Sequence, residues 1–553
     1  MPSCLAPLRA ALCVVALLPA ILHAAPVDTG GGTVPITAID YFSEDHSAAR
    51  RGSEQRLVED VDPFTGGLRI NIPLFSLPGA GGPLAVQWAY NSLEPFAEPI
   101  RPPRVRDGRG SVQNPIAPTL ELPDGSTQRF YKIDSTPSGY PMTGVFRTTG
   151  NWWLQSNGLG QAMTLKSPDG TTYQLSVIKL QQRRTLSAAT STYPFGSVPA
   201  RPDSTYYTGL GGEFDYYLPA SASDANGNRV DYGYDGTLLT SLTAADGRAI
   251  RIAWSNTGQQ ATRLPQVTSV TAGSRSWSFA YSGDTQLTMT QPDGLSWQLG
   301  YRNWETYMTG IPPYGTQFPL FTSITYPTGG QTRLDYARYL APNDIPDGCN
   351  QPGCRDEIAK YVREQPRPVV MRKTTSDGGV WTYQFYAGKG VDGIYVAYSF
   401  PTGADQAQIK SGTRVVTTPV GTTTYGYVSP YDIANCQEDQ WRSGLLLSQR
   451  TANSTGAVLE QTSYDWRYAQ ISNMPASLSS TCRSTVSRVP LQASKTITRD
   501  GKTFSSSYSY DSYGRVIATD ESGDNGDSRR TERSYLTDTS RWIMDKVTAE
   551  SVR

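Results

Sequence analysis

Histidine is almost missing from this chain: its 553 residues hold two, His23 and His46. Any catalytic scheme that turns on an imidazole therefore has very few candidates. Net charge is missing too, with 49 Lys+Arg against 49 Asp+Glu. That balance removes the basic footprint of a nucleic-acid binder and leaves no acidic tail, so no nucleic acid is expected as a partner. Long apolar runs are absent beyond the first two dozen residues, and mean hydropathy is −0.43. No transmembrane segment is expected downstream of them. The length allows three or four domains at roughly 150 residues each, and a chain of this size buries a core without disulfides or metals.

Turn formers and aromatics are plentiful: Gly 52, Pro 39, Tyr 33 and Trp 11. This is the composition of many short strands joined by tight turns. The first residues read as an export signal over 1–24. Arg9 supplies the positive start, Ala10 to Leu22 the apolar stretch, and Ala24–Ala25 a small-residue cleavage site. The mature protein is expected to be secreted, periplasmic or at the cell surface of a bacterium. It would keep Cys349, Cys354, Cys436 and Cys482. An even number in an oxidising compartment points to disulfides, and four cysteines permit three connectivities. The shortest loops pair Cys349 with Cys354 and Cys436 with Cys482. A zinc site is disfavoured, because the spacing is wrong and no histidine lies near.

Residues 25–60 are polar, with Gly30–Gly32 at their start, and read as a flexible extension. From Val61 to about 205 a β-rich region is expected, with strands at Leu68–Pro73 and Leu84–Tyr90 and a Pro/Arg-rich loop over 95–118. From 206 to 553 a repeating unit dominates. Counting from a turn glycine, apolar or aromatic residues recur at +3, +5 and +7. Gly227 is followed by Val230, Tyr232 and Tyr234, and Gly247 by Ile250, Ile252 and Trp254. Gly294 is followed by Trp297, Leu299 and Tyr301, and Gly378 by Trp381, Tyr383 and Phe385. Gly170, Gly329 and, more weakly, Gly501 continue the series. Asp-Gly or Asn-Gly gives a tight hairpin turn, and period-two alternation puts the large residues on one face. Single hairpins are unstable alone, so a run of them must pair into one long, spiralling, all-β sheet.

These residues resemble the RHS, or YD-repeat, family. Tyr510-Asp-Ser-Tyr-Gly-Arg-Val-Ile-Ala-Thr-Asp520 matches its YD-x-x-G-R signature, and Tyr234-Asp235-Gly236 is a shortened copy. Thr537–Met544 with Lys546–Thr548 is similar to a stretch seen between such repeats, and Asp62-Pro63, Thr65-Gly66 and Ile72-Pro73 to the segment that precedes them. The resemblance implies a β-sheet spiralling into a hollow shell, as in secreted bacterial proteins, insecticidal toxin complexes and teneurins. In full-length toxins a C-terminal core segment cleaves itself and releases a toxin. No such segment is recognisable here, so self-cleavage is not carried over.

No catalytic, cofactor-binding or metal-binding residue is singled out. His46 lies in the polar extension, and no Gly-x-Ser-x-Gly elbow occurs. Gly501-Lys502-Thr503 imitates a phosphate loop but precedes a strand, so a hairpin turn is expected. Gly79–Leu84 fails the dinucleotide pattern. The acidic run Asp520–Asp527 does not match a calcium loop. The sequence thus favours a non-catalytic exported shell or scaffold that encloses or presents a toxin or partner, with cargo or an RHS core supplied by another chain. The alternatives are a surface glycan-binding or adhesion module and an exported carboxylate-based hydrolase.

Overall fold

The computed structural model describes residues 58–79, 81–92, 98–108, 118–133, 143–158, 161–182, 213–255, 266–283, 285–305, 317–339, 367–385, 413–428, 442, 445–470, 488–524 and 526–553. They form an all-β protein in three parts. The signal at 1–24, His46 and all four remaining cysteines lie outside the described residues.

The first part is an antiparallel sheet of β1 (Glu59–Val61), β2 (Leu68–Leu77) and β3 (Leu84–Asn91). The expected extension overlaps its start. Glu59 is not a solvated linker residue but 1% exposed, because its carboxylate accepts the Thr332 hydroxyl at 3.3 Å and lies 3.9 Å from the Lys373 ammonium.

The second part is a closed barrel, and it corrects the expected loop at 95–118. Its wall is β4 (Arg104–Gly108), β5 (Thr119–Glu121), β6 (Thr127–Arg129) with β7 (Tyr131–Lys132), β8 (Thr143–Arg147), β9 (Trp153–Asn157), β10 (Met163–Lys166), β11 (Thr172–Gln182) and β12 (Glu213–Ser223). β6 and β7 are two halves of one strand hinged at Phe130, the first pairing with β5 and the second with β8. β12 closes the ring by pairing Phe214–Tyr217 with Val105–Gly108. A barrel of about eight strands has just enough interior for side chains. Val105, Leu120, Phe130, Phe146, Leu154, Leu165, Leu175 and Tyr217 fill it, each at most 3% exposed. The sequence hid β4 behind charge: Arg104 is 1% exposed yet held between Glu98 and Glu121, both at 2.7 Å.

The third part leaves the barrel through the other half of β12, where Ser221–Ser223 pair with Arg229–Asp231 of β13 (Arg229–Asp235). From there each strand pairs antiparallel with the next, up to β32 (Val547–Val552). Turns repeat one design. At Gly227, Gly247, Gly294, Gly329 and Gly378 the glycine amide donates three residues back, and glycine alone has positive φ, 85–89°. The turn is thus a type I turn ending in a left-handed glycine. Asp500-Gly501 differs, with both φ positive (52° and 73°), the two-residue hairpin its sequence called for.

The expected face is the buried one. Ile250, Ile252, Leu299, Leu334 and Tyr383 are each at most 4% exposed and pack on the three-stranded sheet. That sheet is a plug, and the long sheet curls around it from β14 (Leu238–Ala244) to β26 (Leu446–Asn453) in one continuous core.

Candidate functional site: the inner face of the long sheet

The +7 aromatic has a specific task. Hairpin arms pair for only a few residues and then part. β20 (Gln317–Thr325) and β21 (Gln331–Tyr339) pair only through Ser323–Thr325 and Gln331–Arg333. Beyond that point the Tyr336 hydroxyl donates to the Phe321 carbonyl at 2.6 Å, bridging the gap. Tyr234 does the same to Pro219 (2.8 Å), and the Trp254 indole to Leu239 (2.8 Å). Tyr510, the tyrosine of the YD motif, makes the same kind of bond from +9 after Gly501, donating to Gln492 at 2.8 Å. Each aromatic thus supplies apolar area to the face and a donor to a carbonyl that the ladder no longer reaches. The opposing arm needs room: a Cβ on Gly300 would collide with the Ser323 hydroxyl, and Gly233 faces Ser241 in the same way.

Asp511, the second residue of the motif, folds the turn. Its carboxylate accepts the amides of Tyr513 (2.9 Å) and Arg515 (3.0 Å) and pairs with the Arg515 guanidinium at 2.6 Å. The motif is accounted for by turn geometry.

The inner face holds the plug by the shared apolar core and also by the plug's backbone. The Trp277 indole donates to the Leu74 carbonyl at 2.7 Å, Arg414 to Phe64 at 3.2 Å, and Arg248 to Gly82 at 3.0 Å. The Val370 amide reaches the Gly66 carbonyl at 2.9 Å, and the plug's Tyr90 hydroxyl returns a bond to Pro319 at 3.0 Å. Donors aimed at carbonyls recognise an extended polypeptide with little regard to its side chains.

Burial raises the pKa values of the tyrosines on this face and of the plug's Tyr90. Tyr90, Tyr234, Tyr336 and Tyr427 are driven far above the ordinary phenol value, and Tyr464 and Tyr510 to about 12. At the barrel, burial disfavours the Arg104 charge, but the carboxylates of Glu98 and Glu121 outweigh it and hold the guanidinium well above its usual range. The Tyr216 ring lies 4.3 Å from it. The Arg104 network reads as a structural ion cluster, and the neutral tyrosines as donors to the backbone.

Past β26 the same face changes character. Directly opposed residues share a face, and one row runs Tyr425, Gln449, Thr462, Ile497, Phe504. It starts with Tyr425 at 3% exposed under the plug and ends with Phe504 at 44%. Around that end, Arg499 pairs with Glu460, Arg529 with Glu521 (2.6 Å) and Arg533 with Glu550 (2.8 Å). The inner face of β27 (Val458–Gln470) to β32 is therefore more open than that of β14 to β26, although Thr462 (2% exposed) and Thr531 (8%) stay buried on it.

Among the described residues no group of three or more His, Cys, Asp or Glu side chains is placed to hold a metal, and no helix is long and apolar enough to cross a membrane. The Asp520–Asp527 run forms a turn closed by the Gly523 amide and the Asp527 carbonyl at 2.8 Å. The backbone-directed donors Trp277, Arg248 and Arg414 were not foreseen. Trp277 stands at +4 after Gly273, outside the +3, +5, +7 register, so that pattern does not mark it.

No family model matches this chain, and no curated protein matches it by sequence. Solved structures do superpose loosely. The TcdB2–TccC3 crystal structure gives a TM-score of 0.38 at 9% identity, over 89% of this chain and 47% of that one. The Tc holotoxin pore of Photorhabdus luminescens gives 0.20 at 8%, over 85% and 27%. The N-terminal domain of the effector SpvB from Salmonella typhimurium gives 0.17 at 14%, over 48% and 93%. This chain spans about half the length of the TcdB2–TccC3 chain. Superpositions this loose establish no common fold.

Proposed function

We propose that this protein is an exported, non-catalytic shell or scaffold of the RHS/YD-repeat type, whose curled sheet holds polypeptide on its inner face. The observation that carries the reading is the plug: the sheet already encloses one polypeptide segment, through a shared apolar core and donors directed at backbone carbonyls. The backbone-directed part of that grip tolerates varied sequences, as a holder of a toxin or another protein partner must. The more open face beyond β26 offers surface to a guest other than the chain's own plug.

The test is co-production of the exported chain with polypeptides encoded beside its gene. A held guest stays with the chain through gel filtration and resists trypsin until the shell is unfolded. A chain that retains none, yet binds glycans on an array or degrades a polysaccharide, contradicts the reading.

A further inference from the structure

The loop between β31 (Ser528–Tyr535) and β32 contains the stretch Thr537–Met544, to which the shell reading assigns no task. Its contacts return the end of the sheet to the barrel. The Met544 amide donates to the Pro168 carbonyl at 2.7 Å, and Asp169 forms an isolated antiparallel bridge with Ile543. The Lys166 ammonium donates to the Ser540 carbonyl at 2.8 Å. The Trp542 indole donates to the Asn151 carbonyl at 2.5 Å, its ring 5.9 Å from that of Trp153. Beside it the Asn151 side chain donates to the Tyr513 carbonyl at 3.3 Å. These partners lie more than 360 residues apart in the chain. Among the described residues, the ladders of β31 and β32 run to β30 (Val516–Ser522) and to each other.

The loop carries its own scaffold. Asp538 and Ile543 exchange backbone hydrogen bonds at 3.1 and 3.0 Å, and the Asp538 carboxylate accepts the amides of Ser540 and Arg541, both at 3.0 Å. From the YD turn, Arg515 donates to the Leu536 carbonyl (3.3 Å), the Met544 carbonyl (2.5 Å) and the Thr537 hydroxyl (2.7 Å). One residue is strained: Trp542 has φ 61°, a left-handed conformation that bulky side chains rarely adopt. Its side chain is nevertheless 6% exposed, and Met544 is fully buried.

We infer that this loop is a latch, the seam at which the ring of barrel and sheet opens, with Trp542 as its bolt and Arg515 as the group that preshapes it. Three observations converge. The closure depends on this loop and the neighbouring YD turn, whose Tyr513 meets Asn151 and Arg147, rather than on a strand ladder. Release relieves the Trp542 backbone. The strands it would free, β27 to β32, carry a more open inner face than β14 to β26, so swinging them out uncovers less apolar surface than parting the strands around the plug would. The plug stays behind, held in the core of β14 to β26.

Hydrogen exchange by mass spectrometry on the full chain tests this. In the wild type, amides of β29 (Lys502–Tyr510) to β32 and of the barrel turns 148–151 and 167–170 exchange as one group, about tenfold or more faster than β16 (Gln266–Ala272) to β22 (Arg367–Thr375). Trp542→Ala speeds that group by about another tenfold and leaves β14 to β25 (Gly421–Tyr427) unchanged. Bridged positions sit within disulfide reach, so the double substitution Asp169→Cys/Ile543→Cys slows the group when oxidised and restores it on reduction. Uniform acceleration across the chain in Trp542→Ala, no acceleration, or a cross-link that leaves the group's rate unchanged overturns the latch.

Discussion

Tyr336→Phe isolates the task of the +7 aromatic, because it deletes one hydroxyl and keeps the ring. The lost bond to the Phe321 carbonyl is 2.6 Å long and lies in the core between sheet and plug. A net hydrogen bond contributes about 1 kcal/mol, and a buried acceptor left unpaired adds a cost of about the same size. The expected loss is therefore about 1.5–2 kcal/mol. Tyr535→Phe deletes the equivalent bond to Val516 (3.0 Å) at the solvated end of the sheet, where water replaces the donor, so its loss is about 0.5 kcal/mol. Native-state hydrogen exchange reads both locally, which suits a chain too large for a single two-state transition. Amides of β20 and β21 in Tyr336→Phe should exchange about ten- to thirtyfold faster. Equal small effects at both sites, or none at Tyr336, would refute the claim that the hydroxyl bridges the parted hairpin arms.

Gly300→Ala should cost about 1–3 kcal/mol by overpacking against the Ser323 hydroxyl, and adding Ser323→Ala should recover most of it in a double-mutant cycle by chemical denaturation. Arg104→Met takes the guanidinium from Glu98 and leaves Glu121 with Arg106 as its cation in the barrel wall, a loss of about 3–5 kcal/mol that thermal melting should show. Alkali should unfold the protein. The folded pKa values of Tyr336 and Tyr427 are raised by burial, so their contribution is complete below the unfolded value of about 10 and declines as pH rises above it. Absorbance at the tyrosinate band should show Tyr464 and Tyr510 titrating near 12 in any molecules still folded.

The long sheet was legible because its signal is local. A turn glycine and alternating large residues specify a hairpin within about a dozen positions, and Ile250, Leu299 and Tyr383 lie on the face that the pattern selects. The barrel was not, because closure is a long-range event. β4 carries Arg104 and Arg106, and only Glu98 and Glu121, brought in by the fold, make those charges tolerable indoors. The plug was half legible: β2 and β3 show their alternation, but nothing local says that another sheet wraps them. The backbone-directed donors are hidden for the same reason, since Arg248 and Arg414 look like ordinary surface arginines until the carbonyls they reach are in place.

The account turns on the sheet gripping the plug, and amide exchange of β2 and β3 tests this most directly. A three-stranded sheet on its own is barely stable in water and exchanges fast. Enclosed as described, the amides of Ile70–Leu74 and Val86–Tyr90 should be among the slowest in the chain, opening only when β14 to β26 unfold. Exchange of those amides well ahead of the surrounding sheet would contradict the grip, and with it the reading of this protein as a holder of polypeptide.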